Sequence, residues 1–210
     1  MVTIQSLVER LASVFAEGEN KVEALRARAE YFDRAGKVFD DDGDLFESRM
    51  ASFLEWYIIE RAFQGGPPPA ARVVSEPAGR FSDEERRAAV HLHTSHRSLF
   101  ELGAAAEGHL ELDDLIGGAR FRVRERRGTT GFEVGALFEA RLLWDGEAVV
   151  FGKTFLFHPP DVRERVLELV DKATLAGTPS ADLMFQLARL HTRWHRFGHL
   201  SAAKIYSGDG

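Results

Sequence analysis

The 210-residue sequence has no cysteine. That single absence removes disulfides, cysteine-ligated zinc, iron–sulfur clusters and thiol nucleophiles together, and it fits a reducing cytoplasm. No apolar run is long enough to span a bilayer: the best candidate, Phe53 to Ile59, is broken by Glu55. The opening MVTIQSLVERLASVF lacks a basic leader and is interrupted by Gln5, Ser6, Glu9 and Arg10, so it does not read as a signal peptide. The expectation is a cytoplasmic protein with no membrane attachment. Positive charge is also in short supply. With 27 Lys and Arg against 33 Asp and Glu, the net charge of -6 argues against whole-molecule attraction to nucleic acid or an anionic membrane. There is no Gly-x-x-x-x-Gly-Lys phosphate loop, no dinucleotide fingerprint, no Gly-x-Ser-x-Gly elbow and no repeat of solenoid period.

What is present is a change of period. Helix-spaced apolar residues run from Ile4 to Phe63, short alternating runs occupy Leu99 to Phe157, and helical spacing then returns. Thr3 is placed to cap a first helix with the stripe Ile4, Leu7, Val8, Leu11, Val14 and Phe15. Val22, Leu25, Ala29 and Phe32 form a second stripe ending near Gly36. A third segment, Leu45 to Phe63, is apolar on several faces, which predicts burial. Asp42 or Asp44 is its expected cap, because the run Asp40-Asp41-Asp42-Gly43-Asp44 has its glycine two places too early for a calcium loop. The residues from Gln64 to Gly79 read as a linker, since Pro67-Pro68-Pro69 stops a helix. Ser82 with Glu85 makes a capping box for a helix to about Thr94.

Five strand-like runs follow, with Asp145-Gly146 the clearest hairpin turn. Pro159-Pro160-Asp161 and Thr178-Pro179-Ser180 then open two more helices, the last with the stripe Leu183, Leu187, Leu190, Trp194 and Phe197. The expected fold is therefore α+β: a helical N-terminal part at 1–64, a small antiparallel β-barrel, SH3-like or OB-like, preceded by a helix at 80–157, and a C-terminal helical pair at 158–210.

Three groups of side chains bear on function. Arg120, Arg122 and Arg124 alternate with Phe121 and Val123, and Arg126 and Arg127 follow. Period two sets the first three on one sheet face, a row suited to an anion or to cross-strand pairing with Glu111, Glu139 or Glu147. The stretch from Leu99 to Phe157 nevertheless carries seven Lys or Arg against ten Asp or Glu. His191, His195 and His199 repeat every four residues and are the candidate metal ligands, although they sit on the flank and solvent side of the apolar stripe. Thr192 occupies the place of the glutamate in a His-Glu-x-x-His motif. His91, His93 and His96 are a second cluster whose members diverge on a helix. Glu55 and Glu60 are expected to be solvated, and Trp56, Tyr57 and Phe63 to be core.

The arginine-rich strand is similar to the opening of cyclic-dinucleotide receptors of the PilZ type. The Asp/Asn-x-Ser-x-x-Gly that would follow is replaced by Gly128-Thr129-Thr130-Gly131, so the chain is not assigned to that family. The leading functional expectation is a non-catalytic cytoplasmic binding or adaptor protein with a protein partner and no cofactor. Its alternatives are a divalent-metal hydrolase using a histidine cluster, and a small-barrel RNA or nucleotide binder using the Arg120, Arg122 and Arg124 face.

Overall fold

In the computed structural model, which describes residues 3–75, 79–125 and 132–207, helices flank a closed five-stranded barrel on both sides in sequence. Arg126, Arg127 and the sequence Gly128-Thr129-Thr130-Gly131 lie outside the described residues. Helix α1 (Ile4–Phe15) begins at a Thr3–Ser6 capping box. Helices α2 (Lys21–Ala35) and α3 (Asp44–Ile59) follow, then α4 (Pro69–Ser75) and α5 (Asp83–His93), the last opening on the Ser82–Glu85 box expected for it. Strands β1 (His96–Ala106), β2 (His109–Asp114), β3 (Arg120–Arg124), β4 (Leu137–Trp144) and β5 (Val149–Phe157) make the barrel. Helices α6 (Arg163–Leu175), α7 (Ser180–Arg196) and α8 (Ala202–Ser207) complete the chain.

The strands close in the order β1-β2-β3-β5-β4, with β4 returning to β1. Pairing is antiparallel except between β3 and β5, which run parallel through Arg124 and Val150. Insertion of the fifth strand between the third and fourth gives an arrangement that resembles the OB-like of the two expected barrels. Strand order by itself assigns no activity.

Four local expectations are corrected. In α2 the buried residues are Ala24, Ala27, Tyr31, Phe32 and Ala35, while Val22 and Leu25 of the predicted stripe are 62% and 54% exposed. Small alanines let neighbouring helices come close, and Tyr31 anchors that face among Phe32, Phe53, Trp56 and Phe185, with ring centroids 5.1 to 5.8 Å away. The predicted linker holds α4, whose Ala70 and Val73 are fully buried. Pro69 stands at the first helical position, where a missing N–H costs nothing.

The aspartates do not cap α3: Gly43 occupies that place, and Asp42 instead accepts from the Phe39 N–H at 2.8 Å and from Arg196 at 2.9 Å. Finally, α7 stops at Arg196, so Phe197 and His199 lie beyond it.

The cores cross the segment boundaries read from the sequence. Leu156 of β5 and Phe185 and Ala188 of α7 belong to the same apolar cluster as Leu7, Tyr31, Phe53 and Ile58. Gly36 lets α7 approach the end of α2: its φ is +91°, and a Cβ there would come within 3.2 Å of the Thr192 side chain. Truncation of Phe53 or Ile58 to alanine is expected to cost about 2 to 5 kcal/mol. Leu25→Ala, on the exposed face of α2, is expected to stay within about 0.5 kcal/mol. Urea denaturation of the three variants checks which face of α2 and which helix carry the core.

Candidate functional site

The arginine row forms as expected, with Val123 buried on the opposite face of β3, but carboxylates meet it. Arg120 donates to Asp113 at 2.7 Å, and Arg124 donates to Glu147 at 3.0 Å and to Asp145. Arg122 stands opposite Glu111 in the β2–β3 register. In OB-like barrels this face and its adjoining loops take nucleic acid. Here the β1–β2 turn carries Glu107 and the β4–β5 turn carries Asp145 and Glu147, which leaves little uncompensated positive potential for a phosphate backbone.

The histidines are redistributed by the fold. His191 is buried, not on the solvent side, because α7 is covered by α2 on one flank and by β1 and α8 on the other. His195 lies beside it, the two rings tilted by 52° with centroids 4.4 Å apart, while His199, past the helix end, is exposed and lies against Phe197. The buried neighbour of His191 is instead His158, 6.2 Å away between ring centroids, whose Nδ1 meets the Tyr206 hydroxyl at 2.8 Å. Burial pushes the His158 imidazole down to about 3. Burial, and then the neighbouring His195, His158 and Arg49, push His191 down to about 2. Both rings are therefore neutral in the native protein at neutral pH.

Of the second cluster, His91 lines a cleft, His93 is exposed, and His96 pairs with Asp114 at 2.7 Å. Asp114 also accepts from Ser98 and from the Ile116 and Gly117 N–H groups, so this serine, histidine and aspartate staple the β2–β3 turn. Among the described residues no three histidine, aspartate or glutamate side chains are arranged to hold a metal ion.

The strongest electrostatic feature was not singled out in the sequence. Glu55 and Glu60, expected to be solvated, face the barrel and meet its arginines. Arg141 of β4, only 3% exposed, donates to Glu55 at 3.4 Å, to Ser95 Oγ at 3.1 Å and to Glu60. Arg97 of β1 lies 3.7 Å from Glu60 and donates to Glu139 at 2.7 Å. Burial opposes its charge, but Glu139 and Glu60 hold the guanidinium pKa above the usual arginine value.

Arg49 of α3, 2% exposed, adds a third buried guanidinium and balances the three glutamates. Its Nε and Nη2 and the Oε1 of Glu139 have no partner among the described residues, and both residues line a cavity of about 10 Å³, the room of one water molecule. The signal in the sequence was weak. Glu139 and Arg141 alternate along β4, but only the fold turns both toward α3.

Beside this network opens a cleft of about 580 Å³ between helices α1, α3 and α5 and strands β4 and β5. Ile4, Val8, Leu54, Leu143, Val150 and Phe151 give it apolar walls, and Glu55 and Arg141 belong to its lining. Its size suits a ligand or a few partner side chains. Gly152 allows β5 to reach this lining: a Cβ there would lie 3.3 Å from Arg141 and 3.5 Å from Glu55 Oε1. The Lys153 N–H donates to Glu55 Oε1 at 3.3 Å, and the Thr154 hydroxyl donates to Glu55 Oε2 at 3.0 Å.

Compared with models of protein families, with curated proteins and with solved structures, the chain matches none.

Two measurements follow from this geometry. Arg141→Met takes the buried cation away from half-buried Glu55 and partly exposed Glu60, which keep Thr154 and Arg97 as partners, and is expected to cost about 1 to 3 kcal/mol in urea denaturation. For the buried histidines, the native pKa values lie below the ordinary 6.5. The unfolded chain therefore binds protons first as pH falls, and stability drops from pH 6.5 downward. Between pH 6.5 and 5, each imidazole is expected to contribute a slope approaching about 1.4 kcal/mol per pH unit. His158→Leu and His191→Leu should each flatten the curve in that window, a change readable from denaturation at stepped pH.

Proposed function

We propose that the protein is a non-catalytic binding module whose cleft between the N-terminal helices and the barrel receives an apolar part of a partner protein. The observation that carries this reading is the cleft itself, with walls contributed by five secondary-structure elements and apolar residues standing over a buried ion network. Pockets for ligands concentrate at such junctions, and mostly apolar lining with a few fixed polar groups is their usual chemistry. Most of the charged groups here are held by other protein groups: Arg141 uses its Nε, Nη1 and Nη2 on Glu55, Ser95 and Glu60. That arrangement suits a rigid docking surface better than a proton-transfer site, which needs a group within reach of the reacting atom. A cytoplasmic setting belongs to the same proposal and is compatible with the cysteine-free sequence.

The test uses an uncharged apolar dye, Nile red, on the full chain. Saturable binding is expected in the native protein, lost on filling the cleft with Ala51→Trp and on charging its wall with Leu54→Asp. Circular dichroism and thermal melting identify variants that retain the fold. Dye binding that is absent, or that persists undiminished in a folded variant of either kind, overturns the reading.

A further inference from the structure

We infer that the cleft selects an acidic amphipathic segment of a polypeptide, one in which apolar side chains flank a carboxylate that meets Lys153. This rests on the cleft being the binding site and adds the charge and class of its occupant.

The argument is one of cancellation. Six ionisable residues line the cleft: Glu9, Glu55, His91, Arg141, Asp145 and Lys153. Glu55 accepts from Arg141, from Thr154 and from the Lys153 backbone, and Arg141 is fully engaged with Glu55, Ser95 and Glu60. Asp145 accepts from Arg124 and from the Glu147 and Ala148 N–H groups of its own turn. Glu9 is also engaged. The Lys153 ammonium is the lining group that is charged at neutral pH and has no partner among the described residues. The His91 imidazole, a potential donor, is likewise unmet. What remains for a ligand is a cationic point on an otherwise neutralised apolar surface, and the complementary group is an anion carried beside apolar bulk.

Position strengthens the case. The backbone N–H of Lys153 is fastened to Glu55, so the ammonium stem starts from a fixed point on the cleft lining. Lys153 is exposed within β5, and Leu54 and Val150 stand in the same lining, which sets apolar side chains in the cleft with the charge. Ala51 and Ala88 are also in the lining, and small side chains allow a second backbone to approach. The two unmet donors, the Lys153 ammonium and the His91 imidazole, stand on different elements of an apolar cleft, β5 and α5, which suits a peptide segment carrying a side-chain carboxylate and backbone carbonyls better than a hydrocarbon chain.

The experiment pans a displayed library of random 12-residue peptides against the full native chain and against Ala51→Trp, Lys153→Gln and Lys153→Glu. Selected peptides are then titrated by fluorescence anisotropy. Clones from the native protein are expected to combine leucine, phenylalanine or isoleucine with Asp or Glu. Their affinity should fall about threefold or more in Lys153→Gln, a loss of the size a partly exposed ion pair supplies. Panning on Lys153→Glu should enrich Lys and Arg in place of the acids, and Ala51→Trp should abolish binding.

If clones lack an acidic excess, or bind Lys153→Glu as tightly as the native chain while Ala51→Trp still blocks them, the charge assignment is wrong and the cleft reading stands. If clones bind Ala51→Trp as well as the native protein, or no clone is enriched on any form and sodium decanoate does not bind either, both fail. Enrichment of no peptide, together with saturable binding of sodium decanoate blocked by Ala51→Trp, would give the cleft to a small amphipathic acid and overturn the polypeptide assignment.

Discussion

The seam between helix α3 and the barrel rests on charges that neither side can bury alone. Arg97 and Arg141 project from adjacent strands, and Glu55 and Glu60 come down from α3, with Glu139 closing the chain from β4. Each ion lost several kcal/mol of hydration on burial, and the return comes only when all partners sit in register. Such a network contributes modestly to net stability, but it penalises any other docking of helix on barrel, because a shifted helix strands a charge. Arg49 extends the same logic deeper, where its guanidinium lies 5.7 Å over the Tyr31 ring and the residue shares a small cavity with Glu139. The orientation of the two halves of the molecule is thereby specified electrostatically as well as by apolar burial.

The cleft is a by-product of that specification. Helix α3 is pulled onto β4 and β5 at Glu55 and just beyond its end at Glu60, while α1 packs against α3 and α5 packs against α1 and β4, and the space left between α1, α5 and the strands is the groove. Its walls are apolar because those helix faces belong to amphipathic segments that the barrel only partly covers. Its charges are mostly spent on the seam. The same fixed backbone that neutralises Glu55 also sets the position of Lys153. Structure and recognition are linked in this way through one glutamate, which ties the helix to β4 through Arg141 and to β5 through two further hydrogen bonds.

Where α7 and α8 meet the end of β5, with His191 near Arg49, histidine burial makes a different contribution. His158, His191 and Tyr206 fill the junction of β5, α7 and α8 as neutral polar groups. A protonated ring there would be held out of solvent, which opposes the charge, so acid acts on this junction before it acts on most of the carboxylates. The helical spacing of His191 and His195 suggested metal chemistry. What the fold makes of it is one buried and one exposed ring, with the third histidine beyond the helix end.

Much of the architecture was legible from local patterns. The capping boxes at Thr3 and Ser82, the alternation in β3, the Asp145-Gly146 turn and the switch between 3.6- and 2-residue periods are set by backbone sterics and by hydrogen bonds between residues a few positions apart. These act before any tertiary neighbour is present. The face of α2 that is buried, the helix inside the proline-rich stretch, and the fate of Arg49, Glu55, Glu60 and His191 depend on what packs beside them. Val22 and Leu25 make as good a stripe as Ala24, Ala27 and Tyr31 until α3 and α7 arrive, and close packing then favours the side with small residues and one large ring. By itself the sequence determined where most of the helices, strands and turns form, α4 excepted, because those choices are local. Only the tertiary structure decided which charges are buried together and where the cleft opens, because desolvation and pairing depend on residues far apart in the chain, such as Glu55 and Arg141.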